Sequence, residues 1–150
     1  MEAKQRPRAE ASHGWSQSTE DHLACIQELV EQKGYARVVD IAAALGLNSS
    51  TVSNMVRRLA KRGFVNYEKY RGFTLTEQGR AVAERIRMHH QTLTELLQLL
   101  GLSPETVKQE VEVMEHHLLP DTLRVFSRLV HFWRDHPEQL QAFFQDGKSR

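Results

Sequence analysis

Glu112, Glu115 and His116 stand at positions i, i+3 and i+4, and on a helix such residues share one face. Two carboxylates on one face repel each other unless a proton or a cation sits between them. Oxygen donors joined by one imidazole suit Mn2+, Fe2+ or Zn2+, the harder ions most of all. His89 and His90 lie on the preceding helical stretch and Asp21 opens the first one, so each can add a donor. His116 and His117 are adjacent and cannot point the same way; His117 reads as the surface member of the pair. The plainer reading is that Glu-x-x-Glu-His on a charged helix is a solvated face.

A second constellation lies in residues 49–71. Ser49, Ser50, Thr51, Ser53, Asn54 and Arg57 fall opposite an apolar stripe of Val52, Met55, Val56 and Leu59. Short donors and acceptors with one long guanidinium fork are what base edges and phosphates in a major groove require. Arg58, Lys61 and Arg62 continue as phosphate contacts, and Lys69, Tyr70 and Arg71 form a basic hairpin tip. Taken singly, each of these charges is ordinary surface; the argument for DNA lies in their order along the chain.

The elements that must position these groups follow from periodicity and punctuation. Acids at Glu20 and Asp21 open a first helix, with Leu23, Ile26, Leu29 and Val30 at helical spacing and Lys33-Gly34 at its end. His22 is expected on its exposed side. Asp40 opens a short second helix, Gly46-Leu47-Asn48 turns, and Ser49 or Ser50 caps a third helix that Gly63 stops. Phe64–Tyr67 and Phe73–Leu75 read as strands around a turn. Helix, glycine turn, helix and hairpin is the order of a winged helix-turn-helix. Thr76 starts a long helix running to about Leu100. Ser103-Pro104 starts a helix bearing the carboxylate–histidine group, closed by Pro120; Asp121 caps the next, and a short last helix follows Pro137. The expected fold is mostly α, with an N-terminal winged helix-turn-helix, a two-stranded wing and a C-terminal helical dimerisation lobe. The expected divisions are a basic arm at 1–17, a DNA-binding domain at 18–80, a metal-binding and dimerisation domain at 81–146 and a tail at 147–150.

Composition excludes other classes. With 150 residues, 40% hydrophobic and 26% charged, the chain suits a globular domain rather than a disordered one. No apolar run reaches the roughly 18–20 residues of a membrane helix, no membrane partner is expected, and a single cysteine, Cys25, fits a reducing cytoplasm. The net charge of +1 hides an asymmetry: residues 1–90 hold 14 Lys+Arg against 10 Asp+Glu, and residues 91–150 hold 6 against 9. Such a chain has a basic end for a polyanion and an acidic end for another task. Apolar residues in the last helices, Phe126, Val130, Trp133, Phe143 and Phe144, exceed what so small a chain buries alone and favour a homodimer.

The segments Gly34-Tyr35-Ala36-Arg37-Val38, Asp40-Ile41-Ala42, Tyr67-Glu68-Lys69-Tyr70-Arg71-Gly72, Leu75-Thr76 and Glu115-His116-His117, in this order, resemble the diphtheria-toxin-repressor family over roughly residues 18–140. The likeness is to its short, manganese-responsive members. It implies a homodimer that binds an inverted-repeat operator in double-stranded DNA, with Arg37 joining the DNA-contact group. It also implies a two-metal site with ligands at Asp21, His90, Glu112, Glu115 and His116. Glu115 occupies the position where iron-responsive relatives carry sulfur, which favours Mn2+ over Fe2+ or Zn2+. One position departs from the pattern: the family's Glu three residues after the Asp is Ala24 here. Cys25, four residues after Asp21, is a candidate replacement ligand, set against the plainer reading of a buried structural thiol.

Three functions are therefore weighed. The leading one is a metal-responsive transcriptional regulator repressing metal-uptake genes. A winged-helix regulator with a weakened or lost metal response is the rival within the binding class. A metal-dependent hydrolase built on Glu112, Glu115 and His116 would need an open coordination site and a cleft, and the chain shows no further general base to serve it.

Overall fold

The computed structural model describes residues 16–146. The expected arm lies almost wholly outside them, and the tail at 147–150 entirely so. Among the described residues, seven helices and one two-stranded sheet follow in the order α1 Gln17–Lys33, α2 Val38–Leu45, α3 Ser49–Lys61, β1 Val65–Glu68, β2 Gly72–Leu75, α4 Glu77–Leu99, α5 Pro104–Met114, α6 Pro120–Asp135 and α7 Pro137–Asp146. The chain divides into two compact units, with the boundary along the sequence falling within α4 between Met88 and His89.

In the first unit, α1 starts on Ser16, whose Oγ accepts from the backbone of Thr19 at 3.3 Å, and ends at Gly34, in the left-handed region with φ 86°. Its start lies just ahead of the expected start at Ser18-Thr19-Glu20-Asp21, and Glu20 falls in its first turn as expected. The core joins Leu23 and Ile26 of α1, Ile41 of α2, the α3 stripe of Val52, Val56 and Leu59, Phe64 and Val65, Leu75 of β2, and Val82 and Ala83 of α4. Two expected starts are corrected. α2 begins two residues before Asp40, because the Arg37 carbonyl accepts from both Asp40 and Ile41 at 3.0 Å. α3 is capped by Asn48, not by Ser49 or Ser50: Asn48 Oδ1 accepts from the backbone of Thr51 at 2.8 Å.

β1 and β2 pair antiparallel in the register Val65↔Leu75 to Glu68↔Gly72. The loop before α2 adds a third chain, since Ala36 and Phe73 exchange both backbone hydrogen bonds, at 2.8 and 2.7 Å. Gly72 makes that approach possible: its φ is 128° and a Cβ there would stand 2.4 Å from the Ala36 carbonyl oxygen. Gly79 plays the same part where α4 meets the hairpin, with the Phe64 carbonyl 1.9 Å from where a Cβ would be. Thr76 sets the start of α4, its hydroxyl donating to Gly63 O and accepting from Gly79 N.

The second unit packs Leu93 and Leu97 of α4 against Val107 and Val111 of α5 and Leu123 of α6. Ser103 caps α5, with Pro104 in its first turn. α5 ends at Met114, earlier than Pro120 indicated; the backbones of His117 and Leu118 both donate to Met114 O, and the chain turns. Pro120 opens α6 rather than closing α5, a position where its missing N–H costs nothing, and Leu119 rather than Asp121 is the N-cap. Of the apolar residues expected to be in surplus, Val130 is buried within this unit, whereas Phe143 is 52% and Phe144 39% exposed.

Candidate nucleic-acid interface and metal centre

α3 turns Val52, Val56 and Leu59 into the core, so helical geometry sends Ser49, Ser50, Thr51, Asn54, Arg57, Arg58 and Lys61 to the surface, where all are exposed. Ser53 is half-buried at the margin of that face. The hairpin tip exposes Lys69, Tyr70 and Arg71. Tyr70 holds φ 69° and is 86% exposed, an uncommon conformation for a bulky residue. Lys69 lies over its ring at 5.2 Å. Arg37 is exposed beside the same hairpin: its guanidinium lies 5.0 Å from the centre of the Tyr35 ring, and its Nε reaches the Arg71 carbonyl at 3.5 Å. The first unit thus exposes short hydroxyl and amide groups on a helix and cations on a wing.

Asn48 is the residue that sequence reasoning missed. Ser50 Oγ donates to Asn48 Oδ1 at 2.7 Å, beside the capping bond. The available signal was an Asn immediately before Ser-Ser-Thr, since Asn is as strong a cap as Ser.

In the second unit, Glu115 caps the C-terminal end of α5 and is largely buried, with 19% of its side chain exposed. His90 Nδ1 donates to Glu115 Oε2 at 2.7 Å, and His116 Nε2 lies 3.3 Å from Glu115 Oε1. The Glu115 hydrogen bond raises the His90 pKa above its ordinary value, against burial, which lowers it. His116 is buried; His117 is exposed, its ring donating to Val113 O at 2.7 Å. Glu112 is exposed on α5. The single face expected for Glu112, Glu115 and His116 is thus broken after Glu115, because the helix has ended and His116 sits in the following turn.

Asp21 is half-buried on α1. His22, expected on the exposed side, is 1% exposed; its Nδ1 donates to Ser18 O at 2.6 Å. The buried side of α1 is broader than its apolar spacing shows, taking in Thr19, Glu20, His22 and Gln27. Cys25 is buried within the first unit's core, and burial together with Glu28 and Asp40 pushes its thiol pKa up. Such a thiol yields little thiolate, the form that binds metal. Among the described residues no group of three or more His, Cys, Asp and Glu side chains is assembled to hold an ion. The donors present nonetheless fit a divalent cation in kind: a carboxylate set between two imidazoles, with a second carboxylate one helical turn away.

Fold and surface together define a winged helix-turn-helix DNA-binding protein with a helical second domain that carries oxygen and nitrogen donors. The chain belongs to the iron-dependent repressor family, that of the diphtheria-toxin repressor: residues 15–73 match its N-terminal DNA binding domain and residues 76–143 its metal binding and dimerisation domain. It is a metal-dependent transcriptional regulator and not an enzyme. It is 40% identical over 124 residues to the HTH-type transcriptional regulator MntR of Oceanobacillus iheyensis, covering 83% of this chain and 84% of that one. Against the MntR of Geobacillus kaustophilus it is 41% identical over 125 residues, covering 83% and 89%. Among solved structures it resembles the metal-dependent transcriptional regulator MtsR, with TM-score 0.71 and 26% identity over 76% of this chain. It also resembles a manganese-dependent transcriptional repressor in complex with manganese, with TM-score 0.66 and 28% identity. The chain spans about half the length of these solved chains, 54% and 53%. Among the described residues no helix is long and apolar enough to cross a membrane.

Proposed function

We propose that the protein is a manganese-responsive repressor of metal-uptake genes, acting in the cytoplasm as a homodimer on an inverted-repeat operator. The observation that carries the reading is Glu115, a carboxylate with an imidazole against each oxygen, in the family's metal binding and dimerisation domain. Carboxylate and imidazole without thiolate favour Mn2+ over softer ions, and relatives 40% and 41% identical over 83% of this chain carry the name MntR. Solved relatives also hold Zn2+ and Cd2+, so the manganese reading rests on the thiolate-free donor set and the MntR relatives together.

The proposed ligands are His90, Glu112, Glu115 and His116, to which the family likeness adds Asp21. The ion supplies positive charge that offsets the repulsion of the carboxylates. His90, which Glu115 holds toward its protonated form, would have to give up that proton to serve as a ligand. Ala24 provides no donor where the family has Glu, and Cys25 is buried in the core, so one well-held ion per subunit is proposed. In DNA, Ser50, Thr51 and Arg57 read bases, while Arg37, Lys69 and Arg71 hold the backbone. The test is a gel-shift selection from random duplex DNA with Mn2+ and with chelator. Enrichment of an inverted repeat only with Mn2+ is expected. Equal enrichment under chelator would leave a winged-helix regulator without a metal response.

A further inference from the structure

We propose that Ser50 reads the operator as a hydrogen-bond acceptor, taking an exocyclic amino group of adenine or cytosine, and that Asn48 is the positioning residue that fixes this direction. The inference rests on the reading that α3 is the element that enters the major groove, where the N-terminal residues of such a helix meet base edges. A serine hydroxyl normally donates or accepts with equal ease and so discriminates poorly between base edges. Here the neighbouring cap removes that freedom.

Asn48 Oδ1 accepts from Thr51 N at 2.8 Å. Since a backbone N–H can only donate, the amide oxygen, not the nitrogen, faces the helix. Ser50 Oγ lies 2.7 Å from the same oxygen. A carbonyl oxygen cannot donate, so the Ser50 hydrogen points at Asn48. What an exposed Ser50 then offers the groove is its lone pairs. The groove's donors are adenine N6 and cytosine N4; guanine N7 and O6, adenine N7 and thymine O4 are acceptors and are refused. For Ser50 to donate to them, its bond to Asn48 must break, a loss of about 3- to 10-fold in affinity. Residue 48 therefore sets the polarity of a contact that residue 50 makes.

The experiment uses the full chain with Mn2+ and a duplex that it has selected from a random pool. Bases of each half-site are replaced one at a time. Purine for adenine and pyrimidin-2-one for cytosine delete the amino group; 2-aminopurine for guanine deletes O6. One amino deletion per half-site is expected to weaken the wild type by about 3- to 10-fold and to leave Ser50→Ala unaffected. Asn48→Asp keeps the acceptor and should keep this profile even if overall affinity falls. Asn48→Gly preserves the helix start at small cost but releases the hydroxyl, and its sensitivity to that amino deletion should fall. The inference is overturned if Ser50→Ala retains every amino-deletion effect, or if the effect it loses is at O6. A wild type that selects no duplex with Mn2+ overturns the DNA-binding reading itself, an outcome distinct from both.

Discussion

At the scale of single residues, function rests on how neighbours restrict what each side chain can do. Glu115 has an imidazole against each oxygen, so removing it strips the donor set of its centre. Glu115→Ala is expected to abolish the rise in DNA affinity with Mn2+ while leaving metal-free binding in place, checked by fluorescence anisotropy. Calorimetry should count one tight Mn2+ per wild-type subunit, and Ala24→Glu should add a second; two equally tight ions in the wild type would refute the role given to Ala24. The cations divide by position. Arg57 lies on the exposed polar side of α3 and Arg71 on the wing, so on the proposed reading Arg57→Ala should reduce the preference for operator over random DNA. Arg71→Ala should weaken both about equally. The reverse pattern would exchange the roles of helix and wing.

The elements are held by contacts that local sequence hardly announces. The wing is tied down by the Ala36–Phe73 bridge, which tolerates no Cβ at Gly72. Gly72→Ala forces an unfavourable φ and pushes against a backbone carbonyl, at about 1–3 kcal/mol. Urea unfolding should show this loss, and DNA affinity should fall further than stability alone explains, because Lys69 and Arg71 ride on the hairpin. The junction of α1 and α2 is held by Lys33 and Asp40, 2.5 Å apart. The Lys33 hydrogen bond lowers the Asp40 pKa below its ordinary 3.8, against desolvation. A carboxyl lowered in the folded state contributes stability above that ordinary value and loses it as pH falls through the lowered one. Asp40→Asn should therefore cost less than about 1 kcal/mol at pH 7, as a solvent-screened pair does. The difference from wild type should shrink as pH falls from 3.8 through the lowered value, followed by chemical denaturation at a series of pH values.

For the whole molecule, six cations in residues 49–71 set the electrostatic footprint: Arg57, Arg58, Lys61, Arg62, Lys69 and Arg71. A dimer doubles them. If about half contact phosphate, log affinity against log salt should slope near −5. A slope shallower than about −2 would remove this surface as the contact face. Metal and DNA are linked through one protein, so Mn2+ should raise operator affinity by about 5- to 150-fold, and operator should tighten Mn2+ by the same factor. Unequal factors in the two titrations would mean that a third equilibrium, such as dimer formation, carries part of the coupling.

The sequence by itself determined the order of elements, the wing and the division of α3 into a core stripe and an exposed polar face. Those features depend on local periodicity and on glycine and proline punctuation, and Val52, Val56 and Leu59 are as buried as their spacing requires. The spacing of Glu112, Glu115 and His116 suggested metal chemistry, and family likeness supplied the wider ligand set. Where helices begin and end was less legible, because Asn48 and Ser50 are both good caps and only the folded backbone chooses between them. Pro120 can close one helix or open another, and packing after Met114 decided that it opens α6. The burial of His22 beside half-buried Asp21 could not be read from α1 alone. The pairing of His90 with Glu115, 25 residues apart, and the direction of the Ser50 hydroxyl were likewise tertiary decisions. Each depends on which groups the fold brings within hydrogen-bond reach, and periodicity along one helix carries no record of its neighbours.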